Sequence, residues 1–107
     1  MAKEPPFVLV YDPGVVDHLD AIELKYHSLI RDTIEEQLKY EPETETHNRK
    51  RLLRIPEFGA RWELRLRPQN RFRVYYRVET AQREVQILGI GVKLRDRLYI
   101  AGEEVKL

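Results

Sequence analysis

The chain has no cysteine, so disulfides, thiolate metal sites and cysteine nucleophiles are all excluded. It has no apolar run near the ~18 residues that a membrane-spanning helix needs. The start, Met1-Ala2-Lys3-Glu4-Pro5-Pro6, carries no long apolar stretch and no signal-peptide pattern, which makes a cytoplasmic location the expectation. Glycine is scarce, with 5 in 107 residues, and no glycine-rich phosphate loop is present. Gly89-Ile90-Gly91 falls at a strand end, lacks the lysine spacing of a nucleotide loop and reads as a close-packing site. The 3 histidines, His18, His27 and His47, are scattered, which suits surface or packing roles better than a metal pair. Glu35-Glu36 and Glu103-Glu104 read as solvated charge. No repeat, linker or low-complexity tract is visible, and the length suits one domain over residues 1–107.

What is present is charge, unevenly placed. Net charge is only +1, yet residues 1–48 hold 4 Lys/Arg against 11 Asp/Glu, and residues 49–77 hold 10 against 2. Residues 78–107 balance at 5 against 5. A local positive field attracts polyanions whatever the total charge. Basic residues that merely solvate exposed strand faces would give the same count.

Periodicity divides the chain. Phe7-Val8-Leu9-Val10-Tyr11, between Pro5-Pro6 and Asp12-Pro13-Gly14, predicts a first strand. From Val15 the apolar residues Leu19, Ile22, Tyr26, Leu29, Ile30, Ile34 and Leu38 recur at helical steps. This is one long helix, or two with a break near Lys25–Ser28 where Ser28 caps the second. Residues 41–50 show neither period and read as a loop. Two alternating segments follow. Trp62, Leu64 and Leu66 face one way, and Glu63, Arg65 and Arg67 the other; Phe72, Val74, Tyr76 and Val78 oppose Arg71, Arg73, Tyr75 and Arg77. Pro68-Gln69-Asn70 joins them as a hairpin loop. Thr80-Ala81-Gln82 turns into a more uniformly apolar strand, Glu84–Ile90, and Leu98-Tyr99-Ile100 is a last short one. The fold class is therefore α+β. An N-terminal strand and a helix or helical hairpin pack on one face of a small antiparallel sheet, because that face is the only large apolar surface available.

The opposite face then carries Arg65, Arg67, Arg71, Arg73 and Arg77, with Tyr75 among them. Cross-strand like charges destabilise a sheet, and Glu63 offsets only one. A partner bearing phosphates relieves the repulsion, and planar guanidinium suits phosphate oxygens. Near the C-terminus, Lys93, Arg95 and Arg97 closely precede Tyr99 in sequence. Nearby cations lower a phenol pKa, so such a tyrosine can serve as a general base beside a cation-stabilised phosphate. From composition alone, Tyr99 reads first as a core or surface aromatic.

The order of elements, with Leu52-Leu53, Trp62-Glu63-Leu64-Arg65-Leu66, Phe72-Arg73-Val74-Tyr75-Tyr76 and Ile87-Leu88-Gly89-Ile90-Gly91-Val92-Lys93, resembles the RelE/ParE superfamily of bacterial type II toxins over nearly the whole chain. The RelE branch implies a ribosome-dependent mRNA endoribonuclease that needs no metal or organic cofactor. In it the 2′-hydroxyl attacks the adjacent phosphate and leaves a cyclic phosphate. By resemblance, Arg65 stands where a catalytic lysine sits, and Arg73 matches a phosphate-stabilising arginine. Lys93 matches a general acid that is otherwise arginine, and Tyr99 a general base. Glu63 departs from that branch by replacing a basic residue. Arg49, Lys50, Arg51, Arg67, Arg71, Arg77 and Arg95 are the expected RNA contacts. The implied partners are a cognate antitoxin, the ribosome and mRNA, with no membrane. The alternatives are a non-enzymatic DNA gyrase inhibitor of the ParE branch and a non-toxic nucleic-acid-binding regulator.

Overall fold

A computed structural model describes residues 4–107; the start of the leader-pattern reading, Met1–Lys3, lies outside them. Among the described residues, no helix is long and apolar enough to cross a membrane. The architecture is α+β, as expected. β1 (Val8–Tyr11) leads through a turn to helix α1 (Val15–Asp20). A 3₁₀ turn at Leu24–Tyr26 then runs directly into helix α2 (His27–Leu38). Six strands follow: β2 (Arg49–Arg51), β3 (Trp62–Leu66), β4 (Phe72–Glu79), β5 (Glu84–Leu94), β6 (Arg97–Ile100) and β7 (Glu103–Val105).

The helical stretch is thus two helices, and the break falls at residues 21–26, ahead of the expected place. Ser28 does not cap the second. Tyr26 is the cap residue and makes no side-chain bond there, while the His27 ring nitrogen Nε2 bonds to the Ile22 carbonyl at 2.8 Å and closes the corner. α2 buries Ile30, Ile34 and Leu38, one per turn on a single stripe. Each such side chain contributes about 1.5–3 kcal/mol of burial.

The sheet runs β2-β3-β4-β5-β6-β7, antiparallel throughout this path. β1 joins it parallel to β5, with Val8 opposite Glu84 and Tyr11 opposite Ile87. β5 is long enough, at 11 residues, to hold β1 along its first half and β6 along its second. Two short strands were not expected. Arg49–Arg51 lies in and just beyond the presumed loop, and Glu103–Val105 includes charges read as merely solvated. Three residues are too few for a period-two pattern to show.

One face of the sheet supplies Trp62, Leu64, Leu66, Phe72, Val74, Tyr76, Val85, Ile87 and Ile90 to a core closed by Val15, Ile22, Ile30, Ile34 and Leu38. The other face is not purely cationic. It carries a second, smaller cluster of Ala60, Tyr75 and Leu98, flanked by Leu52, Phe58, Leu88, Ile100 and Val105. A bulge connects the two. Tyr75 pairs with Gly89 and Tyr76 with Ile87, which leaves Leu88 as an extra residue. The bulge puts Ile87 and Ile90 in the main core and Leu88 against the second cluster. This is the physical reason β5 reads as uniformly apolar. Gly91 is a close-packing site as anticipated: a Cβ there would meet Leu98 Cδ1 and the Tyr99 carbonyl oxygen, each at 2.9 Å.

Candidate nucleic-acid interface

Register brings four polar side chains into a square on the sheet face turned away from the helices. Glu63 lies opposite Tyr75, and Arg65 opposite Arg73. Two arginines directly opposed repel one another, and the carboxylate between them cancels that. Glu63 Oε1 accepts from Arg65 Nε at 2.9 Å and from Arg73 Nη1 at 3.1 Å, and Oε2 accepts from the Tyr75 hydroxyl at 2.8 Å. Arg73 Nε donates in turn to the Asn70 carbonyl at 2.9 Å. Each guanidinium keeps N–H groups with no partner among the described residues.

The electrostatics follow from this geometry. Burial pushes the Glu63 carboxyl up, but hydrogen bonds from Arg65 and Tyr75 and the charge of Arg73 outweigh it and hold Glu63 below the usual carboxylate range. Burial, reinforced by the Glu63 charge and hydrogen bond, drives the Tyr75 phenol far up. The pair is a fixed anion and a fixed neutral donor at physiological pH.

The square floors an open groove of about 700 Å³. Arg65, Arg73 and Lys93 lie along the floor, and the exposed Arg54, Arg97 and Lys106 around the rim. Its carboxylates are Glu63, Asp96 and Glu104. Glu63 is internally neutralised, and Glu104 sits 3.8 Å from Arg97 in an exposed pair. The groove therefore keeps an excess of cations.

The expected site residues divide. Arg65, Arg73 and Lys93 are brought together in the groove. Tyr99 is not. It pairs across the strand with Val92 and lines a hollow on the helical side of the sheet, with Tyr26 and Phe72. A phenol there cannot reach a phosphate held by Arg65 and Arg73, because the sheet lies between them. Among the expected RNA contacts, Arg51 borders the groove, but it is paired with Trp62 and holds its guanidinium carbon 5.4 Å from the centre of that ring, on the helical face. Lys50 is half-buried across from Glu63. Arg95 is exposed in the β5–β6 turn, in a depression that it shares with Arg71, Arg73 and Lys93. Arg67 is exposed just past β3. Three more residues depart from expectation. Arg49 is buried on the helical side and donates to the Glu41 carbonyl. Arg77 is engaged by Gln86 at 2.6 Å and Glu79 at 3.3 Å. Arg71 bends over the Tyr26 and Phe72 rings, 5.4 Å from each centre.

Sequence reasoning missed Glu63 as the hub, and Arg54 and Lys106 as rim residues. The one available signal was a lone carboxylate in a strand otherwise flanked by arginines.

No protein-family model matches the sequence, and no curated protein matches it. A solved structure is similar in three dimensions: a chain of the RelBE2 toxin–antitoxin complex from Mycobacterium tuberculosis. It has a TM-score of 0.68 at 18% identity, and the match covers 87% of this chain and 98% of that one. The fold is RelE-like. Within that fold, the sheet face opposite the helices is the surface on which this chain gathers Arg65 and Arg73 about one carboxylate, with Lys93 lining the same groove.

Proposed function

We propose that this protein is the toxin of a type II toxin–antitoxin pair, acting in the cytoplasm, and that its groove takes a strand of mRNA on the ribosome and promotes its cleavage. The observation that carries the reading is the convergence of Arg65, Arg73 and Lys93 on one groove floor. Glu63 holds two of the guanidiniums in place, so their remaining N–H groups meet a phosphate without first being ordered. Their charge stabilises the extra negative charge that builds on phosphorus when a 2′-hydroxyl attacks. Lys93 is the ammonium placed to neutralise the departing oxygen. Tyr99 lies behind the sheet in this reading, so the 2′-hydroxyl proton passes to water in the open groove, the departing oxygen takes its proton from Lys93, and catalysis rests mainly on positioning and charge. The RelE-like fold and its occurrence in a toxin–antitoxin complex support an antitoxin partner, whose acidic segment would cover the same cations.

A second reading, a non-enzymatic gyrase inhibitor, is favoured by one observation: neither Glu63 nor Tyr75, the groups set between Arg65 and Arg73, is a ready proton acceptor. Glu63 is held ionised by three donors, and the Tyr75 phenol is raised. Primer extension on translated transcripts after induction separates the two. Codon-phased cuts that disappear in Arg65→Gln and Lys93→Gln are expected. Growth arrest with intact transcripts and a DNA-damage response would transfer the case to gyrase.

A further inference from the structure

The hollow that holds Tyr99 has no role in the groove. It measures about 310 Å³ and lies between the α1–α2 corner and the far ends of β4, β5 and β6. Its walls are mixed in character. Tyr26, Phe72 and Tyr99 give ring surface, Val92 gives aliphatic surface, and Glu23 and Arg71 give polar edges. Tyr26 and Phe72 touch, with ring centres 5.0 Å apart, and the Arg71 guanidinium covers both. The Nε of Arg71 is buried with no hydrogen-bond partner among the described residues. An orphaned buried donor costs free energy unless something supplies an acceptor.

Arg71 also connects this hollow to the groove. The depression that it shares with Lys93, Arg73 and Arg95 touches the hollow through Arg71 and Leu94, and the groove through Arg73 and Lys93. A band of cations therefore runs from the groove floor around the end of β4 and β5 to the ring-lined hollow. A polyanion lying on that band has its phosphates over the cations, and a flat heterocycle attached to the same backbone falls at the hollow.

We propose that the hollow is a nucleobase site: the base of a nucleotide adjoining the strand in the groove leaves the strand near Arg71 and lies against Tyr99 and Tyr26. The inference rests on the groove holding an RNA backbone. Stacking on rings and on a guanidinium plane tolerates any base, while Glu23 and the Tyr99 hydroxyl bias the choice by the donors and acceptors of the base edge. Tyr99 thereby becomes a binding residue on the helical side of the sheet.

The test compares a short single-stranded RNA with an abasic ribose–phosphate chain of the same length, by fluorescence anisotropy over a salt series. Tyr99→Ala should weaken the base-bearing strand roughly tenfold, within the range for loss of one aromatic stack, and should leave the abasic chain and its salt slope as they were. Tyr99→Phe, which keeps the ring, should retain the affinity for the base-bearing strand. In the unsubstituted protein, a 4-thiouridine strand should crosslink to Tyr99 or Tyr26. Equal losses on both strands, no loss on either, or crosslinks confined to the groove would overturn the base site with the groove left standing. Binding to neither strand, or binding indifferent to salt, would bring down the groove reading and the base site together.

Discussion

Arg73 Nη1 lies 3.1 Å from Glu63 Oε1, and each side chain is only 10% exposed. This is an ion pair inside a groove that otherwise seeks an anion. Its meaning is structural first. Arg65 and Arg73 occupy opposed positions on neighbouring strands, and without the carboxylate the sheet would bring two cations together with nothing between them.

Glu63→Ala should therefore destabilise the fold by about 3–5 kcal/mol, the usual cost of leaving one partner of a buried pair uncompensated. Glu63→Gln should cost less, because its amide oxygen still accepts from a guanidinium. Urea unfolding of both variants measures the order, and equal stability of Glu63→Ala and the parent protein would contradict it.

Acid should act through the same residue. The folded-state pKa of Glu63 is depressed below the ordinary 4.5, so its contribution is complete above that value. It is lost as pH falls from about 4.5 through the lower folded value. In an acid titration followed by circular dichroism, Glu63→Gln should show a shallower loss of stability over that window than the parent.

Alkali should act through two tyrosines. Burial first of all, then Glu63 for Tyr75, raises the phenols of Tyr75 and Tyr76 well above the ordinary 10.0. The fold favours their neutral forms, so the stabilisation is complete below pH 10 and declines as pH rises past it, where the unfolded chain ionises. Of 6 tyrosines, these two should resist phenolate formation in an ultraviolet titration until the protein unfolds. Tyr76→Phe should also cost about 1–3 kcal/mol, since the buried Pro42 carbonyl loses its 2.6 Å donor.

Gly91→Ala should destabilise by about 1–3 kcal/mol, as overpacking does. The new methyl would press on the Tyr99 carbonyl, which is backbone and cannot swing aside. The damage falls on the β5–β6 pairing that positions Lys93 beside the groove and Tyr99 behind it. Hydrogen exchange at residues 91–100 should quicken more than exchange in α2.

Lys93→Ala should lower the salt dependence of single-stranded RNA binding by about 0.7 in the log–log slope, the contribution of one neutralised phosphate. Arg49→Ala should not change that slope through direct contact, because its guanidinium is buried on the helical side. Its effect should appear in thermal stability. A parallel loss of slope in both variants would mean that the two faces had been assigned wrongly.

Much of the molecule could be read along the chain. Alternation assigned Trp62, Leu64, Leu66, Phe72, Val74 and Tyr76 to the core, because a strand's side chains must leave by opposite faces. The three- and four-residue steps placed Ile30, Ile34 and Leu38 on one stripe. The corner between the helices was misplaced by a few residues because its closing contact, His27 to the Ile22 carbonyl, is no capping pattern. β2 and β7 escaped notice since their pairing comes from neighbours and not from any period of their own.

By itself the sequence determined the two faces of the sheet, the helical layer on one of them and the concentration of cations in residues 49–77, all of which follow from side-chain spacing. Only the tertiary structure decided which cations share a site. Register set Arg65 against Arg73 with Glu63 between them, and packing drew Arg49 and Arg71 to the helical side. The β5–β6 pairing turned Tyr99 away from the groove. These outcomes depend on distances between residues far apart in the chain, and local pattern carries no record of such distances.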